Sequence, residues 1–175
     1  MKNFLTLIIS GLLLLIVSCA SKAYVQPAEL TNLLKNEEFT FMAERANPTN
    51  YDVINVMNSF PNSTSTRMLN LDYGYAIVVK KEKLEVTLPY FGRLYTPSMD
   101  NDKNSYRFSS KDYSISKSEG KKGSTIVTIA PNDVTNVRRI IMEVYKSGKA
   151  YVSIDSNDRQ PISYDGYIMK NQVVK

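Results

Sequence analysis

The feature that most constrains the fold is a succession of short alternating segments from Arg67 onward. The clearest segment reads KLEVTLPY and places Leu84, Val86 and Leu88 opposite two polar side chains. A period of two is the pattern of a strand with one buried face. Turn residues separate the segments. Many short strands with close turns predict an all-β domain, mainly antiparallel, that is either a sandwich or a curled barrel.

Several local predictions accompany this fold. The segment TRMLNLDY (66–73) is predicted as a strand, and EFTFMAERAN (38–47) is predicted as another. YDVINVMNSF (51–60) favours one or two helical turns capped by Asp52. VYKSGKAYV predicts a hairpin with a two-residue turn at Ser147–Gly148. Adjacent residues of a strand point to opposite faces, so Arg138 and Arg139 are expected on different sides of the sheet.

The N-terminus carries a second constraint, an apolar run from Phe4 to Val17 that follows Lys2. As a helix this run spans about 21 Å, which is short of a hydrocarbon core of about 30 Å. A positive start and a short apolar core are typical of a secretory signal peptide. The sequence predicts a secreted or envelope protein.

The run ends in Ile16, Val17, Ser18 and Cys19, which resembles the lipobox of bacterial lipoproteins. Cys19 is the only cysteine of the chain and stands where the lipid-accepting residue belongs. We expect lipid attachment at Cys19, with a palmitate-type acyl chain beside a diacylglycerol. Resemblance to lipoprotein sorting rules implies the outer membrane, because Ala20 rather than Asp follows. The periplasmic face is favoured over the cell surface, since no acidic residue follows the cysteine closely.

These patterns together predict the organisation of the chain. They divide it into a signal peptide (1–18), a lipidated tether (19–26), a short helix (27–36), a β domain (37–170) and a tail (171–175). Pro27 suits the first helical position, and Leu30, Leu33 and Leu34 share one helical face.

Composition excludes several classes of chemistry. The chain of 175 residues has no histidine, which removes histidine-based acid–base catalysis and histidine-ligated metal sites. A formal net charge of +5 is too small a bias to indicate a nucleic-acid partner. Asp100, Asp102 and Asn104 begin like a calcium loop, but the required Gly and Glu are absent and the loop is interpreted as solvated. We predict no cofactor, no metal and no catalytic residue.

The candidate ligand-binding residues are Tyr90, Phe91, Arg93 and Arg159. The first three lie in LPYFGRLY (88–95), where two rings and a guanidinium suit a sugar, a lipid or an anion. A structural interpretation is favoured over this one. Pro89 ends a strand, Gly92 permits a bulge or a positive φ, and the two rings pack on opposite sides of a corner.

The chain resembles the domain of unknown function (DUF) family 4251 in three stretches. These are the opening strand with RANP after it, LPYFGR (88–93) and VYKSGKAYVSIDSNDRQPISYDGYI (144–168). That family consists largely of bacterial envelope proteins with signal or lipoprotein leaders. The resemblance covers roughly residues 38–169 and implies one β-rich domain. It implies no activity.

The sequence therefore predicts an outer-membrane lipoprotein that acts as a non-catalytic binding or envelope-assembly module. Beyond the membrane itself, the expected partner is an envelope protein, a glycan or a lipid ligand. The alternative is a metal-independent hydrolase of an envelope glycan or peptide, for which Asp155, Asp158 and Asp165 offer carboxylates.

Overall fold

Nine antiparallel strands form one sheet that curls into a nearly closed barrel. The computed structural model describes residues 23–59, 65–95 and 104–172. The all-β prediction is confirmed, and the curled barrel is the form adopted. The strands are β1 (Phe39–Pro48), β2 (Ala76–Lys80), β3 (Lys83–Pro89), β4 (Ser105–Ser110), β5 (Tyr113–Glu119), β6 (Thr125–Pro131), β7 (Val137–Val144), β8 (Lys149–Ser156) and β9 (Ile162–Met169).

The helices are short and lie outside the sheet. They are α1 (Pro27–Asn36), α2 (Tyr51–Ser59) and α3 (Ser65–Leu69), and a single 3-10 turn spans Lys121–Gly123. Within the described residues, no helix is both long and apolar enough to cross a membrane.

The strand order places the first and last strands side by side in the middle of the sheet. The order is β4-β3-β2-β1-β9-β8-β7-β6-β5, so β1 pairs with β9 while β4 and β5 form the two edges. The edges are consecutive in the chain and meet at the corner Lys111–Asp112. Near this corner the Tyr113 hydroxyl donates to the Lys80 carbonyl, which ties β5 to the end of β2 in the other half of the sheet.

The barrel interior is filled by apolar side chains. On β3, Leu84, Val86 and Leu88 are buried, as their alternation predicted. The largest fully buried side chains are Arg159, Tyr106, Tyr164, Phe39, Phe41, Ile77, Leu84, Leu88, Ile129, Ile140, Met142 and Ile154. Burial of each large aliphatic side chain stabilises the fold by about 1.5–3 kcal/mol.

Helix α1 occupies the residues predicted for a short helix. Pro27 stands in its first turn, and Glu37 ends it in the left-handed conformation. Leu30 and Leu34 are buried in the core. Lys117 on β5 donates to the Leu34 carbonyl over 2.9 Å, so the C-terminal end of the helix is fixed to the edge strand.

The strand predicted from TRMLNLDY is wrong. Residues 65–69 form α3, and a strand begins only at Ala76. On this edge β1 already pairs with β2 through Phe39 to Met42. Past that point the segment pairs with β1 through one isolated bridge, between Arg45 and Asn70, rather than through a ladder. Helix α3 instead buries Leu69 in the core.

Helix α2 is longer than predicted and has a different cap. It runs over nine residues, and Asn50 rather than Asp52 supplies the capping side chain. The Asn50 Oδ1 atom accepts the Asp52 backbone N–H over 2.8 Å. Asp52 instead lies in the first turn, where a carboxylate is favoured by the helix dipole.

Arg138 and Arg139 lie on the same side of the sheet, contrary to expectation. The register of β7 shifts between Val137 and Arg139, which marks a β-bulge. Both guanidinium groups therefore reach the Asp155 carboxylate, at 3.0 and 3.3 Å. A bulge inserts one residue and cancels the alternation on which the prediction rested.

The predicted β7–β8 hairpin is present, with its turn one residue earlier than expected. The central residues are Lys146 and Ser147, and Gly148 follows with a φ of +83°. The Tyr145 N–H donates to Lys149 O over 2.8 Å, as in a hairpin closed by a glycine bulge. The Tyr24 N–H donates to Ser147 O over 3.0 Å, so the described chain begins bound to this hairpin.

Candidate functional site

The LPYFGRLY segment turns its aromatic side chains in opposite directions. Pro89 ends β3, and Tyr90 then packs toward Tyr106, with ring centroids 5.7 Å apart in an edge-on arrangement. Phe91 and Arg93 face a groove on the outer surface. The segment is a corner whose two sides have different surroundings.

Main-chain hydrogen bonds join this corner to the loop that precedes β9. Tyr95 N–H donates to Asp158 O over 2.8 Å, and Gln160 N–H donates to Arg93 O over 3.1 Å. Leu94 and Arg159 form an isolated antiparallel bridge. The two motifs that carried the family resemblance are therefore in direct contact.

Arg159 lies inside the protein, with only 2% of its surface exposed. Its Nε and Nη2 atoms donate to the two Asp158 carboxylate oxygens at 3.0 and 2.8 Å, and Nη1 donates to Ser105 O at 3.1 Å. The guanidinium carbon lies 5.1 Å from the Tyr90 ring centroid and 4.8 Å from that of Tyr106. A buried charge requires such partners, and here the chain itself supplies them.

Three tyrosines complete this buried cluster. The Tyr90 hydroxyl lies 3.0 Å from both Arg93 O and Gln160 O, Tyr164 donates to Pro89 O over 2.6 Å, and the Tyr106 and Ser156 hydroxyls are 3.0 Å apart. Burial raises the pKa of Tyr90 to about 12, and it also raises the pKa of Tyr106 and of Tyr164. All three hydroxyls stay protonated at neutral pH, and those of Tyr90 and Tyr164 donate to backbone carbonyls.

Gly92 is required by a neighbouring side chain rather than by its own backbone angle. It is absent from the positions with positive φ. A Cβ atom at this position would lie 2.6 Å from the Tyr90 Cζ atom. Because the Tyr90 hydroxyl is bound to the loop backbone, the ring has little freedom to move away.

The outer side of the corner forms a cavity that we call the 91–93 groove. Its volume is about 470 Å³, and its walls come from α2, α3 and the corner. The lining residues are Asn50, Asp52, Val53, Val56, Met57, Met68, Phe91, Gly92 and Arg93. Val56 is 56% exposed and Met68 is 38% exposed, so the groove is open to solvent.

The structure brings two of the four candidate residues together in this groove. Phe91 and Arg93 line it, while Tyr90 and Arg159 lie in the buried cluster behind the corner. Arg93 is exposed, and among the described residues no ion pair holds its guanidinium. Its charge is available at the rim of an apolar surface.

The sequence pointed to Phe91 and Arg93 but not to the α2 and α3 residues of the groove. Val53, Val56 and Met57 lie three and four positions apart, as expected for one helical face, and that spacing was the available signal. Met68 had no such signal, because the segment that contains it was interpreted as a strand.

Each carboxylate offered for a hydrolase has a partner within the described chain. Asp155 pairs with the two arginines of β7, Asp158 with Arg159, and Asp165 accepts from Asn47 over 2.7 Å. Asp165 pairs with Tyr151 of β8, and Tyr151 is four residues from Asp155 along the same strand. Four residues of strand span about 13 Å, beyond the separation that paired-carboxylate glycosidases use.

Comparison with known proteins agrees with the fold. The family model for the domain of unknown function DUF4251 matches residues 22–168. No curated protein matches the chain. A crystal structure of a DUF4251 family protein from Bacteroides eggerthii DSM 20697 is similar, with 14% sequence identity and a TM-score of 0.50. The match covers 86% of this chain and 91% of that one. The chain thus belongs to the DUF4251 family, whose function is unknown.

Proposed function

We propose that the protein is an outer-membrane lipoprotein, anchored through Cys19 and facing the periplasm, that binds an envelope protein through the 91–93 groove. The anchor is supported by the sequence alone, because Cys19 lies outside the described residues. The single observation that carries the binding role is the groove itself. It combines an apolar floor with one exposed guanidinium.

The openness of the groove favours a protein over a small ligand. Sites for small molecules cover most of the ligand surface. Here Val56, Met68 and the neighbouring Tyr51, which is 80% exposed, project into solvent. Exposed apolar side chains next to one another mark an interaction surface, and methionine adapts to varied partners.

The charges at the rim specify the kind of partner. Asp52 and Arg93 line the same groove, so both signs of charge border the apolar floor. A partner segment with apolar side chains between charged ones complements this arrangement. The proposed occupant is an amphipathic segment of an envelope protein.

The test places a photo-reactive amino acid at Val56 in the lipidated protein and at Tyr151 in a matched control. Tyr151 is also exposed, at 40%, but lies on β8 away from the groove. We expect one protein to cross-link from position 56 and not from 151. In a purified pair, Met68→Asp should weaken binding about tenfold or more, since removal of a central apolar contact costs roughly 1–2 kcal/mol.

Two results would contradict this proposal. One is cross-linking from both positions equally, and the other is cross-linking from position 56 that Met68→Asp leaves unchanged. The competing occupant is the chain's own segment 60–64, which joins α2 to α3 and lies outside the described residues. If that segment fills the groove, Phe60→Ala lowers the melting temperature and position 56 cross-links within the chain.

The anchor has its own test. Cys19→Ala should abolish labelling by radioactive palmitate and release the protein from membranes. External protease on intact cells should spare the domain if it faces the periplasm, and rapid digestion would place it on the cell surface. The hydrolase alternative stays a prediction.

A further inference from the structure

A second groove lies between α1 and the sheet, next to the point where the described chain begins. We call it the tether-side groove. Its volume is about 340 Å³. Leu30 and Leu34 of α1 and Val144 of β7 give it an apolar lining, and Tyr145 and Lys146 of the β7–β8 hairpin form part of its wall.

Three lysines lie at or beside this groove: Lys146 lines it, and the turn that carries Lys121 and Lys122 ends at Gly123, which also lines it. Lys121 and Lys122 are exposed on the 3-10 turn, and the Lys146 Nζ atom lies 3.1 Å from where a Cβ on Gly123 would stand. None of the three forms an ion pair within the part of the chain that the structure describes. Tyr145, 41% exposed, adds an amphipathic ring of the kind that is enriched at membrane interfaces.

The tether brings this surface close to the proposed anchor. The Tyr24 main chain is bound to the hairpin, and its ring stacks on Tyr167 with centroids 4.5 Å apart. Tyr24 is five positions after Cys19, so a fully extended tether reaches only about 17 Å. A bilayer that holds the Cys19 lipid therefore lies within reach of Lys121, Lys122 and Lys146.

We infer that the tether-side groove and its three lysines form a docking surface for anionic phospholipids of the membrane that holds the anchor. Phosphate headgroups meet the lysine ammonium groups, and the apolar lining with Tyr145 meets the interfacial region. This inference rests on the lipid anchor of the proposed function and not on the 91–93 groove.

Docking in this way fixes the orientation of the barrel. Strand β8 begins beside the tethered hairpin, and its last residue, Ser156, contacts the Tyr106 hydroxyl of the buried cluster. Eight residues of strand span about 25 Å. The 91–93 groove is therefore held away from the bilayer, where a partner has access.

The experiment uses the lipidated protein reconstituted in vesicles. The Cys19 sulfur is no longer a free thiol once it carries diacylglycerol, so a cysteine introduced at Thr31, which lines the tether-side groove, takes a spin label at one site. Ser59→Cys, on α2, is the matched far-end label. We measure the accessibility of each label to a water-soluble nickel chelate in vesicles of phosphatidylcholine alone and with phosphatidylglycerol added.

We expect phosphatidylglycerol to protect the label at position 31 and to leave that at 59 exposed. Substitution of Lys121, Lys122 and Lys146 by Gln should lower the ratio of docked to undocked protein by about a hundredfold. Substitution of Arg67, Arg138 and Arg139 by Gln removes the same charge from outside both grooves and should have no effect on docking. High salt should remove the protection, because it screens exposed charges.

The inference is overturned if the protein stays in the vesicles but position 31 is equally accessible in both lipids. It is also overturned if the control substitutions act as strongly as the lysine ones. Failure of the anchor itself gives a different result, since the protein would then not remain with the vesicles at all.

Discussion

Arg159 and Arg93 lie on the two sides of the same corner and differ in burial and in partners. Arg159 is buried, bidentate to Asp158 and flanked by two tyrosine rings. Arg93 is exposed beside an apolar groove, and only its backbone carbonyl bonds to the loop before β9. The contrast shows that a guanidinium beside aromatic residues in a sequence is found either in an internal clamp or at an exposed surface.

The largest expected effect distinguishes the two arginines directly. Arg159→Ala removes the clamp, leaves Asp158 without its partner and opens a cavity, so the free energy of unfolding should fall by about 3–5 kcal/mol. Arg93→Ala should change it by less than about 0.5 kcal/mol. Urea denaturation measures the free energy of unfolding of both variants. Equal losses in Arg159→Ala and Arg93→Ala would contradict the assignment of one arginine to the interior clamp and the other to the surface.

A loss of stability intermediate between those of the two arginine variants is expected on substitution of Gly92. Gly92→Val drives a side chain into the Tyr90 ring and should cost about 2–3 kcal/mol, seen as a lower melting temperature. In a double-mutant cycle, Gly92→Val should cost clearly less when Tyr90 is already Ala. Additive losses would mean that the glycine is needed for another reason.

The smallest expected effect concerns acid stability. Burial acts to raise the pKa of Asp158, but the hydrogen bonds and charge of Arg159 outweigh burial and lower it from 3.8. A lowered folded-state pKa contributes stability that is present above 3.8 and is lost as the pH falls through the folded value. Asp158→Asn should therefore cost about 1–2 kcal/mol at pH 7 and progressively less below pH 4. If Asp158→Asn lowers the free energy of unfolding by the same amount at pH 7 and pH 3, the Asp158–Arg159 ion pair is not the source of the loss.

The alternation of apolar residues predicted the strands well, because burial of one face fixes a period of two. On β3 every predicted inward residue is buried. The predictions at TRMLNLDY and at Arg138–Arg139 were wrong for different reasons. Residues 65–69 form a helix, and the segment pairs with β1 only through an isolated bridge. The bulge on β7 arises in its pairing with β8, which the local sequence does not contain.

The candidate site was predictable only in part, for a related reason. LPYFGRLY drew attention to the corner, since proline, glycine and two rings rarely serve a plain strand. The direction of each side chain depends on the loop before β9, which lies some 65 residues later in the sequence. Arg159 and Arg93 have the same chemistry in the sequence, and only their neighbours in space tell them apart.

The pairing of β1 with β9 also has a consequence for how the molecule forms. The strand that follows the tether finds its central partner only when the last strand of the chain is present. Contacts between distant parts of a chain form slowly, because a large loop must close before they stabilise anything. Assembly of the barrel therefore waits for the complete chain, and until then the first four strands lack the neighbour that joins them to the rest of the sheet.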